Sequence, residues 1–115
     1  MNFEPLLPAL KEKLTDGPER VGFILESGEI VEVQNICHEA ENGFEVSGTD
    51  LVKHQHAVAT WHTHPSQDSN LSVNDYYGFR NWPEQTHIII GTDGVSSYRV
   101  EGGRVLQADR WIDEG

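Results

Sequence analysis

His62 and His64, two histidines separated by one residue, are the strongest chemical feature of the sequence. They follow a compact, mostly apolar run, Ala57-Val58-Ala59-Thr60-Trp61, which predicts a buried strand that Pro65 ends. Alternate side chains of a strand share a face, so the two imidazoles are presented together while Trp61 and Thr63 point the other way. Structural zinc sites usually take four protein ligands, whereas catalytic sites take three and leave the fourth position to water. Asp75 is placed to be the third ligand. Polar residues 66–70 turn the chain back, Ser72 carries a helix-capping signature, and Asp75 then falls in the first turn of that helix. Two neutral imidazoles and one carboxylate around Zn²⁺ leave a net charge of about +1, enough to bring the pKa of a bound water down towards ~7. Hydrolysis at such a site also needs a base.

Each part of this pattern has an ordinary structural meaning when taken alone. Ser-x-x-Asp before apolar residues is a common helix cap, and a His-x-His pair can simply lie on a surface. His54-x-His56 is an internal control: it has the same spacing but lies in a polar stretch, with no proline-terminated strand and no helix-borne acid after it. It is not assigned as a ligand pair. Asp68 is a lesser competitor of Asp75. His38 and His87 read as structural histidines, Trp82 and Trp111 as edges of the core, and Trp61 as core facing away from the metal.

The elements that must hold these residues can be read from periodicity and turn chemistry. Leu6, Leu7, Leu10 and Leu14 sit at helical spacing over residues 4–14, with Asp16-Gly17-Pro18 as the stop. Residues 20–36 contain two apolar runs around Ser27-Gly28 and predict a β-hairpin turning near residues 26–29. Asn42-Gly43 is a turn signal, residues 44–46 predict a short strand and residues 49–52 the start of a short helix. After the histidine strand, residues 72–81 predict a helix containing Tyr76, Tyr77 and Phe79. The β-branched run of residues 86–90, the turns at Asp93-Gly94 and Gly102-Gly103, residues 96–100 and the run from Val105 onward predict a closing β-meander. Neither repeats nor low-complexity tracts interrupt residues 1–115, which read as a single domain.

Composition narrows the class. The chain has 115 residues, 37% of them hydrophobic, which is enough for one modest core. Eight basic against 19 acidic residues give a formal charge of −11 that repels phosphate backbones and anionic membranes, so nucleic acid and membrane are excluded as expected partners. The acidic balance suits a solvated surface, or a basic partner or substrate segment. Cys37 is the only cysteine, so neither an internal disulfide nor a multi-cysteine zinc cluster can form, and it reads as a small buried hydrophobe. A nucleobase deaminase would need His-x-Glu and Pro-Cys-x-x-Cys, which one cysteine cannot supply. With no secretory pattern near residue 1 and no run approaching ~20 apolar residues, a cytoplasmic protein is expected.

His62-Thr63-His64-Pro65, six residues, then Ser72-x-x-Asp75 resembles the motif of the JAMM metallopeptidases, also called MPN-plus or JAB. That family also has a glutamate three residues before a glycine in an early apolar strand, and Pro18-Glu19-Arg20-Val21-Gly22-Phe23-Ile24-Leu25 is similar to that segment. Val21 stands where a cysteine or methionine is more usual. The resemblance implies that His62, His64 and Asp75 bind one Zn²⁺ per chain. It implies that Glu19 takes a proton from the zinc-activated water and returns it to the leaving amine, and that Ser72 stabilises the oxyanion. Glu26 is the rival base, disfavoured by its place at the hairpin turn. The implied fold is α/β, a mainly antiparallel twisted sheet sandwiched by helices as in JAB/MPN and cytidine-deaminase-like domains. The implied activity is amide hydrolysis by a peptidase or isopeptidase acting on a protein or peptide substrate, ubiquitin-like or a phage tail-assembly precursor. The short segment between Pro65 and Ser72 resembles compact bacterial or phage members rather than polyubiquitin-specialised ones. A phage-encoded chain would act in the host cytoplasm. The alternative is a catalytically idle scaffold of the same fold that binds a protein partner. Oligomeric state is left open.

Overall fold

The computed structural model describes residues 1–40 and 43–113; Asn42 of the expected Asn42-Gly43 turn lies outside the described residues. Six strands form one mixed sheet in the order β2-β1-β3-β4-β5-β6: β1 (Val21–Ile24), β2 (Ile30–Val33), β3 (Ala59–Thr63), β4 (Thr86–Gly91), β5 (Gly94–Glu101) and β6 (Arg104–Ile112). Every neighbouring pair is antiparallel except β3 and β4, which run parallel. Parallel strands need a crossover, and helix α3 (Val73–Arg80) supplies it, making β3-α3-β4 the one βαβ unit among the described residues. The chain is therefore α/β, with β4-β5-β6 as the expected meander.

The sheet buries both faces. On one, Trp61, Ile24, Ala59, Ile88 and Ile90 pack with Leu10 of helix α1 (Leu7–Lys11) and with Phe3, and Leu6, Leu7, Leu14 and Trp111 pack around them. On the other, Phe79 of α3 packs on Ile89 and Tyr98. Period-two alternation assigns these faces: Trp61 goes to the α1 side and Thr60 and His62 to the α3 side. The Trp61 ring is fully buried, yet its Nε1 finds no hydrogen-bond partner, a cost of about 1–3 kcal/mol set against the burial of a large ring. Gly22 lets β1 lie this close, since a Cβ there would meet the Val31 carbonyl at 1.9 Å and the indole of Trp61 at 2.7 Å.

Several expected boundaries move. The opening helix is not continuous over residues 4–14 but splits into a 3₁₀ turn at Glu4–Leu6 and the five-residue α1; Pro8 lacks the N–H that a continuous helix would set against the Glu4 carbonyl, while Pro5 sits in the first turn, where proline is tolerated. Residues 44–46 form no strand; among the described residues their one ladder-like backbone link is the Ile36 N–H to the Glu45 carbonyl at 2.9 Å. Helix α2 (Gly48–Lys53) begins one residue before the expected start, where the Ser47 side chain accepts from the Asp50 N–H. Trp82, 42% exposed, packs less deeply than expected of a core edge. None of the helices among the described residues is long and apolar enough to cross a membrane.

Candidate metal centre

Three elements converge at the C-terminal end of β3. His62 lies on the strand, 1% exposed, and the chain continues through His64, whose N–H donates to the Ile90 carbonyl of β4 at 2.8 Å. Because β1 pairs antiparallel to β3 with Val21 opposite His62, the residues just before β1 are brought beside the histidines. Arg20 fixes that approach: its N–H donates to Thr63 Oγ1 and its carbonyl accepts from the Thr63 N–H, both at 2.9 Å, while its guanidinium forks onto both carboxylate oxygens of Glu32 on β2. Glu19 is buried next to it. Asp75 arrives from the first turn of α3, where Ser72 and Asp75 form a reciprocal capping box: Ser72 Oγ accepts from the Asp75 N–H at 3.1 Å and Asp75 Oδ2 accepts from the Ser72 N–H at 3.3 Å.

The donor atoms meet closely. His62 Nε2 lies 3.1 Å from Asp75 Oδ1, His64 Nε2 lies 3.0 Å from Asp75 Oδ2, and the two Nε2 atoms are 3.2 Å apart. His64 Nδ1 is 2.8 Å from the Asp68 carbonyl, which can only accept, so Nδ1 carries the hydrogen and the neutral ring turns a lone pair on Nε2 towards the carboxylate. The His64 lone pair and the Asp75 carboxylate, aimed at one point, need a cation or a proton between them. Ligands at the usual Zn–N and Zn–O bond lengths sit about 3.3 Å apart on a tetrahedron, close to the separations here. The residues therefore fit a borderline-soft divalent metal. Glu19, His62 and His64, all buried, also bring one ligand atom each within 4.8 Å of one another, so the carboxylate of Glu19 faces the same point from farther out. The tighter contacts favour Asp75 as the third ligand.

Electrostatics follow from burial and these contacts. Burial pushes Asp75 towards protonation, but the hydrogen bonds and charges of His62 and His64 outweigh it and hold the carboxyl far below the usual range. Burial lowers His62 and is only partly offset by Asp75. For His64 burial acts downward too, but Asp75, the Asp68 carbonyl and Glu19 together raise it. Burial raises Glu19 to about 7, with His64 pulling it down and Asp75 adding to the rise.

The other candidates fall elsewhere. Glu26 is exposed in the β1–β2 turn, beyond the end of β1 opposite to Glu19. His54 is buried at the end of α2 with its ring 5.0 Å from Phe23, and His56 is exposed, so that pair does not join the cluster. Asp68 turns its carboxylate to Asn70 and serves the site through its backbone instead. Cys37 is half-buried and lines the cleft with Glu19 and Ser72, rather than lying in the core as expected.

Sequence reading did not reach the surroundings of the ligands. Phe44 and Phe79 flank the His62 ring at 4.5 and 5.9 Å between centroids. Ser69, fully buried, holds the loop that presents the Asp68 carbonyl: its N–H donates to Asp93, its hydroxyl meets Ser96 Oγ at 2.7 Å and its carbonyl accepts from Tyr98 at 2.9 Å. A backbone carbonyl has no side-chain signature, so no sequence signal marked it. Over the cluster opens a cleft of about 450 Å³ whose lining includes Glu19, Glu39, Ser72 and Asp75, within the usual range for ligand clefts.

No protein-family model and no curated protein matches the chain. Among solved structures it is similar to the solution structure of a structural-genomics target protein from Desulfitobacterium hafniense, with 15% identity and a TM-score of 0.56, over 98% of this chain and 89% of that one. At that identity the likeness concerns the fold alone.

Proposed function

We propose that this chain is a zinc-dependent peptidase or isopeptidase of the JAMM type, with a JAB/MPN fold, one Zn²⁺ held by His62, His64 and Asp75, and a protein or peptide as substrate. The observation that carries the reading is the convergence of His62 Nε2, His64 Nε2 and the Asp75 carboxylate at 3.0–3.2 Å, with His64 Nδ1 already committed to a carbonyl. When bound, zinc supplies a Lewis acid for the scissile carbonyl and lowers the pKa of water towards ~7. Glu19 is the base: its buried carboxylate faces the histidine pair, placed to take the proton from the water and then to deliver it to the leaving amine. Ser72 Oγ spends a lone pair on the Asp75 N–H and keeps its O–H to donate where negative charge develops. The substrate class is a ubiquitin-like protein or a phage tail precursor, met in the cytoplasm of the cell or host.

Metal analysis of the purified protein should find about one zinc per chain, and His62→Ala should lose it. Asp75→Ala removes a cap as well as a ligand, so Asp75→Asn, which keeps an acceptor for the Ser72 N–H, is the cleaner partner. Stoichiometric zinc in both His62→Ala and Asp75→Asn would overturn the ligand assignment. Incubation with ubiquitin-like fusions and tail precursors, followed by mass spectrometry, should give chelator-sensitive cleavage; a partner bound without cleavage, and indifferent to chelation, would return the protein to the scaffold class.

A further inference from the structure

Beside the metal cleft lies a second, smaller pocket of about 100 Å³, bounded by Phe23 of β1, Phe44 and Val46, Leu51 of α2, and Phe79 and Trp82 at the end of α3. We propose that it is the subsite for an apolar side chain of the substrate, one or two residues from the scissile amide; the inference rests on the peptidase reading and adds a sequence preference to it.

Of the polar side chains that line this pocket, Thr60, Gln85 and His87 are already engaged, and the His54 ring stacks on Phe23. His87 sets Nδ1 against Thr60 Oγ1 at 2.7 Å and Nε2 against the Trp82 carbonyl at 2.9 Å, and Gln85 donates to the Ala57 carbonyl at 3.1 Å. A polar occupant would be set against the walls of Phe23, Phe44, Val46, Leu51, Phe79 and Trp82, where each group left unsatisfied costs about 1–3 kcal/mol. An aliphatic group of leucine or isoleucine size gains from the aromatic walls and gives up no hydrogen bond.

The pocket adjoins the cleft, since Phe44, Gly78 and Phe79 line both. Phe44 and Phe79 also flank His62, with ring centroids within 6 Å of it (4.5 and 5.9 Å). An extended chain advances about 3.3–3.6 Å per residue, which sets the occupant one or two residues from the bond at the metal. Gly78 is the independent mark of the passage. It sits inside α3, where glycine costs about 1 kcal/mol relative to alanine, and a Cβ there would meet nothing within 4 Å. Packing does not require the glycine. Its missing side chain leaves the saddle between cleft and pocket open.

The test is a nuclear magnetic resonance titration of the metal-free protein with two blocked tetrapeptides, acetyl-Ala-Leu-Ala-Ala-amide and acetyl-Ala-Gln-Ala-Ala-amide. The leucine peptide should shift the Trp82 indole and Leu51 amide signals saturably and bind at least tenfold more tightly. Gly78→Met should remove that preference, while Gly78→Ala should melt higher than the wild type and keep most of it. Equal binding of the two peptides, shifts that miss Trp82 and Leu51, or an unchanged preference in Gly78→Met would overturn the subsite. Because the titration needs neither zinc nor turnover, it can fail while cleavage succeeds, or succeed while cleavage fails. In the zinc-loaded protein, products of a peptide library should then carry an apolar residue within two positions of the cut.

Discussion

His87 offers a quantitative check on the packing that supports the site. Its ring is 1% exposed and stacks on Phe79 at 4.2 Å with planes only 7° apart, and its nitrogens are held by Thr60 and the Trp82 carbonyl. Nε2 faces an acceptor and carries the hydrogen, so the neutral ring is the one the fold accommodates. Burial lowers its pKa from 6.5 to about 4. Between those values the unfolded chain binds the proton and the folded chain does not, so stability is full above about 6.5, falls as pH drops and levels off below about 4. At about 1.4 kcal/mol for each tenfold change in proton affinity, the whole effect is about 3 kcal/mol, of which about 2 kcal/mol is lost between pH 7.5 and 5. For a domain of this size that corresponds to a fall in Tm of about 8 °C. Urea and thermal melts of wild type and His87→Gln, with chelator present throughout, isolate the effect, because the other titrating groups, His62 included, remain in both proteins. His87→Gln should be less stable by about 1–3 kcal/mol at pH 7.5, and the gap should close towards pH 5. Parallel curves, with a constant gap across that range, would refute a buried neutral His87.

Glu19→Gln should keep about one zinc per chain and lose cleavage by at least a hundredfold, since it removes the proton carrier and not a ligand; wild-type turnover would move the role, Glu26 first. Gly91→Ala would place a Cβ 2.3 Å from the Ser69 nitrogen and 2.4 Å from the Asp68 carbonyl carbon. It should therefore disturb the loop that orients His64, and isothermal titration should show zinc binding weakened about tenfold or more, as loss of an outer hydrogen-bond partner commonly does. Unchanged affinity would show that the loop does not set the ring.

The part of the site that sequence reading reached is the part that is local. His62, His64, Ser72 and Asp75 occupy one strand, one loop and one helix turn, and the periods of strand and helix suffice to bring them near each other. Glu19 joins through the register of β1 on β3, a pairing across about forty residues that no local period specifies; only the family resemblance pointed to it. Leucine spacing overstated the first helix because Pro8 acts on a backbone hydrogen bond rather than on hydrophobic pattern. Cys37 was assigned from residue type alone, and its place on the cleft depends on tertiary contacts of the segment after β2, such as the Glu19 N–H to the Ala40 carbonyl. The role of the Asp68 carbonyl and the apolar pocket were beyond reach for the same reason: both arise from tertiary contacts of backbone and aromatic groups brought together from separate elements.

The crossover between the parallel strands has a consequence for the order in which the protein matures. Its three proposed ligands lie between residues 62 and 75, so gathering them closes a very short loop and requires little beyond β3, the turn at Pro65 and one helix turn. Glu19 must wait for the long-range pairing of β1, which carries the larger closure entropy. On the proposed function, a chain built this way would capture its metal early and become hydrolytic late. The proposed reactive ensemble would then be assembled only when the sheet around it is complete, and an unfinished fold holding the ion would lack the base needed to attack its neighbours.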